Sequence, residues 1–478
     1  MNIQFQPLAI LPELFIILLI FVYLSLHLFT PKSWEYRLST IFILCFGLIA
    51  IPLFLGRNFR GVAFAGTYVQ DGLSFYFKIF FSVNALMIMI MAREWFIRIE
   101  RAKTEFILLI LLATLGMFFL VSSNDFILLY VSLELITVSF FIMTAYHRSE
   151  GSSIEAGLKY LVLGALASGF LIYGISFLFG CTGSTQLSSI SQFVASEGNR
   201  SIPLLFALIL ILVGLGFKIA CVPFQFWVPD VYQGAPTPVT AFLSVGSKAA
   251  GIVLMLRIFL SVFPSLYEHW APLLCALSAM TLFYGNLGAI AQKNIKRFLG
   301  YSSIGHAGFL IMGICAGNHL GISAVLYYLT AYMFSNLLIF MIVILFSKTS
   351  SKDLIQDYSG LSERSPLLAG AMFIALMSLA GVPPLAGFFG KFMVIIAITE
   401  KGLYWLALIG GVNIVISLYY YLSIVKKMYF ESPQDNSAIP IPFLARMLII
   451  LCLIGIIMLG IFQGPLVDAI TASIRGFC

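Results

Sequence analysis

A lysine lies inside a long apolar run in the stretch Gly214 to Thr240, GLGFKIACVPFQFWVPDVYQGAPTPVT. Five residues after this lysine, Lys218, a proline removes a backbone N–H and clashes with the preceding turn, so we expect a helix to break at Pro223. In lipid, the carbonyls freed by such a break must face protein or a water-filled cavity. A buried amine beside an unwound turn indicates an ion or proton path. The alternative is a proline kink beside a lysine that reaches the membrane surface.

Three further charged residues lie in the middle of apolar runs or beside a break. Glu134 is central in LLYVSLELITVSFFIMTAY, Lys248 is central in TPVTAFLSVGSKAAGIVLML, and Lys391 follows the prolines of GVPPLAGFFGK. A charge at the centre of the bilayer costs roughly 2.5–3.5 kcal/mol, so these side chains need partners or water. Buried ion pairs that only lock helices together are the alternative. Three amines and one acid do not balance, however.

Proton transfer is chemistry that these residue types can perform. Burial favours the neutral form of a lysine, and a nearby carboxylate favours the charged form. A carboxylate about 4 Å away stabilises the charged form of the lysine by roughly 4 kcal/mol at an effective dielectric constant near 20. We therefore expect that moving Glu134 towards or away from Lys218 makes this lysine hold or release a proton. An arginine could not do this, because it does not deprotonate.

Two further candidates also have an ordinary structural interpretation. Lys159 lies near one end of its apolar run and is either an interfacial anchor or the start of a proton relay. His306, in RFLGYSSIGHAG, is either a satisfied core histidine or a relay group, and Ser302 and Ser303 beside it could help to hold water.

The composition identifies the class of protein. Of the 478 residues, 61% are hydrophobic and 10% are charged, whereas soluble globular chains carry roughly 25% charged residues. This is therefore a polytopic membrane protein without large water-soluble domains. The seven cysteines form no C-x-x-C pair and have no histidine at ligand spacing, and no glycine-rich nucleotide-binding loop follows a strand. We expect no disulfide framework, no metal and no redox cofactor in this chain.

The apolar runs predict an all-α protein with about fourteen transmembrane helices. The runs cover residues 8–29, 38–55, 71–92, 104–121, 124–146, 157–180, 202–229, 237–263, 271–291, 300–317, 320–347, 367–399, 402–427 and 443–465. As straight helices the seventh and twelfth runs would extend roughly 40–50 Å, against a hydrocarbon core of about 30 Å. These two runs also contain Pro223 and the pair Pro383 and Pro384, so helices 7 and 12 are predicted to be broken.

The two predicted breaks lie five helices apart, which indicates two copies of a five-helix unit. Because five is odd, consecutive copies would enter the membrane from opposite sides, as in the inverted repeats of many transporters. The expected segments are 1–103 with three N-terminal helices, 104–265 with helices 4–8, 266–428 with helices 9–13, and 429–478 with helix 14.

The basic residues of the loops predict the orientation. Fifteen lysines and arginines fall in the loops on one side and five in the loops on the other. By the positive-inside rule, both termini are expected on the outside.

Several segments resemble the antiporter-like membrane subunits of respiratory complex I, the proton-pumping NADH–quinone oxidoreductase. The matching segments are YVSLELITVSFFIM, GLKYLVLGALASGFLIYG, GFKIACVPFQFWVPDVYQGAPTPVTAFLSVGSKAAG, IAQKNIKRFLGYSSIGHAGF and LAGVPPLAGFFGKF, which are spread over residues 124–395. The resemblance is greatest to subunit N of that family. It implies a fold of two inverted five-helix repeats within fourteen helices.

The resemblance also implies roles for individual residues. Glu134 and Lys218 would form a switching pair, Lys248 would be the connecting lysine and Lys391 the terminal lysine that faces the outside. It further implies that flavin, iron–sulfur clusters and quinone are bound by other subunits. The expected partners are other membrane-arm subunits, including a sister antiporter-like subunit, and the lipid bilayer, with no nucleic acid. The expected location is the bacterial plasma membrane.

Other functions agree with the same residues. A subunit of a multi-subunit sodium–proton antiporter shares this fold and these lysines, and the arm of a membrane-bound hydrogenase has a similar appearance. A non-transporting scaffold is a further alternative, and in that case neutralising all four central charges would leave coupled activity intact.

Overall fold

The computed structural model describes residues 7–31, 34–57, 61–96, 103–197, 202–350, 353–433 and 437–475. Some residues used in the sequence analysis lie outside this part of the chain. They are the basic loop residues Lys32, Arg60, Arg98, Arg101, Arg200 and Lys352, the side chain of Lys348, and Cys478.

The N-terminal segment combines helices with a short hairpin. Its elements are α1 (Leu11–Phe29), α2 (Glu35–Gly47), α3 (Ala50–Gly56), β1 (Gly61–Ala63), β2 (Tyr68–Gln70) and α4 (Gly72–Trp95). The two strands pair antiparallel, with Val62 opposite Val69. The sequence analysis did not predict this hairpin, because three-residue strands are too short to show an alternating pattern.

The next segment contains the first broken helix. Its elements are α5 (Lys103–Val121), α6 (Phe126–Thr144), α7 (Gly151–Thr182), α8 (Leu187–Glu197), α9 (Ile202–Ile219), α10 (Trp227–Gly234), α11 (Thr237–Phe242) and α12 (Lys248–Met255). Turns of π-helix at Leu243–Ser247 and Leu256–Val262 extend α11 and α12 into one continuous span, Thr237–Val262. Turns of this type are rare and occur frequently at functional sites.

The remaining helices include the second broken helix. They are α13 (Tyr267–Ile290), α14 (Ile295–Cys315), α15 (His319–Ser350), α16 (Leu361–Arg364), α17 (Pro366–Ala380), α18 (Ala386–Glu400), α19 (Tyr404–Phe430), α20 (Phe443–Ile461) and α21 (Gly464–Ile474).

In the described residues, thirteen helices are long and apolar enough to cross a membrane. The predicted all-α membrane fold is therefore confirmed. The predicted twelfth helix is absent from the thirteen because it consists of two shorter helices, α17 and α18. Counting that pair as one interrupted crossing gives the fourteen crossings expected from the sequence.

Both predicted breaks are present. The first lies between α9 and α10 and the second between α17 and α18. Each half-helix before a break is followed by a residue in the left-handed region, Ala220 at φ 62° and Gly381 at φ 89°. A left-handed residue is a common way to end a helix, because it directs the following N–H groups to the last carbonyls. Accordingly, Cys221 N–H donates to the Gly216 carbonyl (2.9 Å), and Val382 N–H donates to the Met377 carbonyl (3.0 Å).

The helices of the two halves pack in the same order. In the first half α5 packs on α6, α6 on α7, and α7 on both parts of the broken helix, α9 and α10. In the second half α13 packs on α14, α14 on α15, and α15 on both parts of its broken helix, α17 and α18. This correspondence agrees with two five-helix repeats; the segment boundaries at 103, 265 and 428 stay a prediction.

The centre of the molecule is formed by helices that are shielded from lipid on all sides. In the most apolar part of the span Thr237–Val262, 100% of the residues are buried. In the corresponding part of Leu11–Phe29, only 28% of the residues are buried. The spans Ile295–Cys315 and His319–Ser347 are similarly enclosed. Polar side chains on these three spans are therefore kept away from the bilayer by protein.

Candidate functional site

Lys218 lies in the last turn of α9, directly before the first break. The residue is 5% exposed, so its amine is inside the protein. The ammonium group donates a hydrogen bond to the hydroxyl of Thr137 on α6. The lysine thus does not reach the membrane surface, which argues against the interpretation as a snorkelling side chain.

Glu134 lies one turn before Thr137 on α6, and its Oε1 accepts a hydrogen bond from Ser168 on α7 (2.6 Å). Within the described part of the chain, no ion pair of 4.0 Å or less joins Glu134 to Lys218. The structure therefore places the predicted switching pair on neighbouring helices without direct contact. Each group has a different partner, Ser168 for the carboxylate and Thr137 for the amine.

Lys248 lies between the two π-helical turns, in the most enclosed span, and is 2% exposed. Its Nζ donates to the backbone carbonyl of Ser303 (2.5 Å) and to the hydroxyl of the same residue (2.8 Å). The ring of Tyr332 lies 5.4 Å away, so the amine also faces an aromatic surface. All of these partners are neutral.

Lys391 lies on α18, directly after the second break, and is 2% exposed. Its Nζ donates to the carbonyls of Leu379 (2.7 Å) and Ala380 (2.9 Å), the last two residues of α17. The last carbonyls of a helix have no partner within the helix and carry partial negative charge. The ammonium therefore binds the groups that the break leaves exposed.

His306 lies on α14, and both of its ring nitrogens are in hydrogen bonds. Nδ1 is 2.5 Å from the hydroxyl of Tyr328, and Nε2 is 3.0 Å from the hydroxyl of Tyr421. The ring of Tyr332 packs against it, with 4.9 Å between the ring centres. Since Tyr332 also contacts Lys248, the histidine belongs to the same buried cluster as that lysine.

Lys159 lies apart from this cluster, on the surface of α7. Its Nζ is 2.7 Å from the carboxylates of both Glu155 and Asp230, and its side chain is 42% exposed. Asp230 also binds Arg297 of α14 (2.6 Å). This geometry favours the interpretation of Lys159 as an interfacial anchor.

The lysines beside the two breaks and the central lysine Lys248 share one feature that matters for chemistry. Within the described residues, Lys218, Lys248 and Lys391 have no carboxylate within 4.0 Å, and each is held by hydroxyl or carbonyl groups. Such partners stabilise the ammonium group without an opposite charge, so loss of the proton does not leave an unpaired anion behind. The arrangement suits groups that exchange protons.

Sequence reasoning missed the polar partners of these residues. Thr137, Ser168, Tyr328 and Tyr421 are hydroxyl residues in apolar helices, and each contacts a charged or titratable group on a different helix. The signal that could have found Tyr421 and Tyr328 is the clustering of tyrosines in the segments LYYLTAY and SLYYYLS.

A second buried charge cluster lies in the N-terminal segment. Lys78 of α4 is fully buried and is 2.8 Å from the carboxylate of Glu13 on α1. The same amine donates to the hydroxyl of Tyr68 and to the side-chain carbonyl of Gln70, both at 2.7 Å. The cluster fastens the hairpin to two helices.

A polar cavity of about 500 Å³ lies at the start of α11. Its lining residues are Trp95, His147, Glu150, Gly234, Ala235, Pro236, Thr237, Lys296 and Asp353. Lys296 is 3.4 Å from Asp353 and donates to the carbonyl of Ala235 (3.3 Å). The cavity is polar and large enough to hold water at the start of the span that carries Lys248.

In the described residues, no group of three or more histidine, cysteine, aspartate or glutamate side chains is arranged to hold a metal ion. The six cysteines that the structure describes are free thiols.

Comparison with known proteins identifies the class to which this fold and site belong. The sequence profile of the family "NADH:quinone oxidoreductase/Mrp antiporter, TM" matches residues 123–417, which include Lys218, Lys248, Lys391 and both breaks. The chain belongs to this family of antiporter-like membrane subunits, and the resemblance noted in the sequence is confirmed.

Individual relatives indicate a particular branch of the family. NADH-quinone oxidoreductase subunit N of Moorella thermoacetica is 41% identical over 93% of this chain and 93% of its own length. Several other relatives carry the same name. A chain of respiratory complex I from Thermus thermophilus matches 97% of this chain and 100% of its own length with a TM-score of 0.82 and 31% identity. A chain of the Mrp complex of a Dietzia species has a TM-score of 0.84 at 19% identity, over 98% of both chains, and shows the shared fold alone.

Proposed function

We propose that this chain is the proton-translocating subunit N of an NADH–quinone oxidoreductase. The observation that carries the proposal is the set of three lysines, Lys218, Lys248 and Lys391, each at most 5% exposed and each without a carboxylate within 4.0 Å among the residues that the structure describes. A purely structural set of charges would be paired, because an unpaired buried charge is costly. The names of the relatives support the same function.

Protons would move along Lys218, Lys248 and Lys391. Redox energy released in other subunits would alter the charge of a neighbouring subunit and shift Glu134. When the carboxylate leaves Ser168 and approaches Lys218, the lysine takes up a proton; when it withdraws, the proton moves on to Lys248 and from there through the His306 cluster to Lys391. From Lys391 the proton would leave towards the outside, as the family resemblance implies for the terminal lysine.

The remaining assignments belong to this proposal. Flavin, iron–sulfur clusters and quinone would be bound by other subunits, and the chain would contact a sister antiporter-like subunit in the membrane arm. It would lie in a bacterial plasma membrane with both termini outside. The polar cavity beside Thr237 supports proton uptake at the inside face, because that face is where the positive-inside rule places Lys296.

Replacing Lys218 by methionine in the assembled complex tests the function. The variant Lys218→Met keeps an unbranched side chain that is one atom shorter and removes the titratable amine. We expect proton pumping coupled to quinone reduction to fall at least tenfold, measured with a pH-sensitive dye in proteoliposomes. The matched control is Lys401→Met, which removes an exposed lysine.

The amount of assembled complex must be measured for each variant before pumping is compared, since only assembled variants are informative. Unchanged pumping by an assembled Lys218→Met complex would contradict the proposed role. Pumping that depends on sodium gradients and not on quinone reduction would instead favour the antiporter.

A further inference from the structure

The structure points to tyrosine hydroxyls as the links of the proton path between Lys248 and Lys391. This inference rests on the proposed function and extends it to residues that are neither acids nor amines. The hydroxyls belong to Tyr421 of α19 and Tyr328 of α15, which lie on opposite sides of the His306 ring. We propose that a proton passes from Tyr421 to Nε2 of His306 and from Nδ1 to Tyr328.

The first part of the path runs from Lys248 to the histidine. Lys248 donates to the hydroxyl of Ser303 (2.8 Å), and the next residue, Ser302, shares a hydrogen bond with Tyr421. The hydroxyl of Tyr421 is 3.0 Å from Nε2 of His306. Consecutive helical residues point in different directions, so a water molecule must join the two serine hydroxyls.

The second part runs from the histidine to Lys391. The hydroxyl of Tyr328 is 2.5 Å from Nδ1 of His306. The Tyr328 ring packs directly on Gly390, the neighbour of Lys391, since a Cβ at position 390 would lie 2.7 Å from this ring. Phe309 contacts both groups: its ring lies 5.0 Å from the Lys391 amine and 6.1 Å from the Tyr328 ring. Tyr328 thus contacts the histidine through its hydroxyl and the backbone beside the terminal lysine through its ring.

Burial excludes bulk water from this part of the path. His306 is 4% exposed, Tyr328 2% and Tyr421 less than 2%. A tyrosine hydroxyl and a neutral imidazole can each donate one hydrogen bond and accept another. A chain of such groups can pass a proton along without any of them being charged at rest.

The proton released by Lys248 reaches Nε2 as Tyr421 accepts one proton and gives up its own, and His306 becomes an imidazolium. The Nδ1–H bond then breaks, an O–H bond forms on Tyr328, and the original Tyr328 proton passes through water to the neutral amine of Lys391. His306 is left neutral with its proton on Nε2, and the proton must return to Nδ1 before the next transfer.

The test compares two neighbouring tyrosines of α15. Tyr328→Phe removes the hydroxyl on His306, and the matched control Tyr327→Phe removes a hydroxyl that donates to the backbone carbonyl of Leu459. We expect at least tenfold slower proton pumping for Tyr328→Phe and less than a twofold change for Tyr327→Phe. Both are measured in proteoliposomes at equal content of assembled complex.

A double variant separates proton transfer from packing. If Tyr328 acts through His306, the variant His306→Gln/Tyr328→Phe pumps as slowly as His306→Gln alone, whereas independent structural effects would multiply. If Tyr328→Phe fails to assemble, the same comparison can be made with Tyr421→Phe, His306→Gln and the double variant that combines them.

Two outcomes would overturn the inference: pumping by Tyr328→Phe equal to that of Tyr327→Phe, or multiplied effects in the double variant. If Lys218→Met abolishes pumping and Tyr328→Phe does not impair it, the tyrosine links are wrong and the proposed function stands. If Lys218→Met pumps normally, the proposed function itself fails.

Discussion

At the scale of single residues, the three lysines of the proposed proton path are held by neutral groups. Lys218 has a threonine hydroxyl, Lys248 a serine hydroxyl and carbonyl, and Lys391 two carbonyls. A hydrogen bond to a charged group stabilises it by roughly 1.5–3 kcal/mol, which is less than full pairing with a carboxylate in the interior. Each lysine is therefore stabilised enough to carry a proton and is not fixed in the charged form.

Thr137→Val tests this balance at Lys218. Valine has nearly the same shape but leaves the ammonium without its hydroxyl partner, so the charged form is destabilised by roughly 1.5–3 kcal/mol. We expect proton pumping to slow by about tenfold. The measurement is pumping in proteoliposomes.

The matched control is Thr114→Val on α5, where the buried hydroxyl donates only to the carbonyl of Ile110 (2.7 Å). Equal pumping rates for the two variants would show that the Thr137 hydroxyl has no role in proton transfer.

At the scale of elements, the two breaks place an amine where helix ends expose polar backbone groups. The helix end at α17 directs the carbonyls of Leu379 and Ala380 towards Lys391. Gly381 makes this possible, because its φ of 89° lies in the left-handed region and its missing side chain leaves room for the lysine. The break is thus both the end of one half-helix and the binding site of the terminal lysine.

Gly381→Ala tests the contribution of that break. The new Cβ would lie 3.0 Å from Cδ of Lys391, so the lysine must shift, and the left-handed backbone costs about 1–2 kcal/mol for a residue with a side chain. We expect lower thermal stability and severalfold slower pumping, measured by thermal inactivation and in proteoliposomes.

Gly402→Ala separates the effect of backbone strain from the effect of displacing Lys391. Gly402 also has a positive φ, 78°, but a Cβ there would meet no atom within 4 Å. We expect a similar loss of stability with normal pumping. Equal pumping by both variants would mean that the position of Lys391 is not critical.

The elements also show what the sequence could predict. The spans and both breaks follow from apolar length and proline, which are local properties of the sequence. The partners of the charged residues could not be predicted, because Ser168 and Tyr421 meet Glu134 and His306 only after helices distant in the chain have packed. For the same reason the separation of Glu134 from Lys218 was not foreseen, although both residues were identified.

At the scale of the whole molecule, one carboxylate joins the two repeats. Asp230 of α10 binds Lys159 of α7 in the first half and Arg297 of α14 in the second half. The cluster is partly exposed, so each ion pair contributes at most about 1 kcal/mol. Asp230 thus ties α10, the second half of the first broken helix, to the second repeat.

Asp230→Asn tests this connection. The substitution removes the charge that binds both cations, so we expect a lower midpoint of thermal inactivation at low salt, corresponding to about 1 kcal/mol. Salt screens exposed charges, so the difference from the natural protein should shrink at high salt.

The control is Glu155→Gln, because among the described residues Glu155 forms an ion pair with Lys159 only and is 65% exposed. A larger effect for Glu155→Gln than for Asp230→Asn would contradict a connection between the repeats through Asp230.

The buried pair of Glu13 and Lys78 has a consequence for biogenesis. Glu13 is made with the first helix, but its cation arrives only with α4, so during synthesis the acid has no counter-ion. An unpaired charge in lipid is costly, and the first helix is therefore expected to remain beside the insertion machinery until α4 emerges. The first helices would then be released into the bilayer as a group, with the hairpin closing over them as the pair forms.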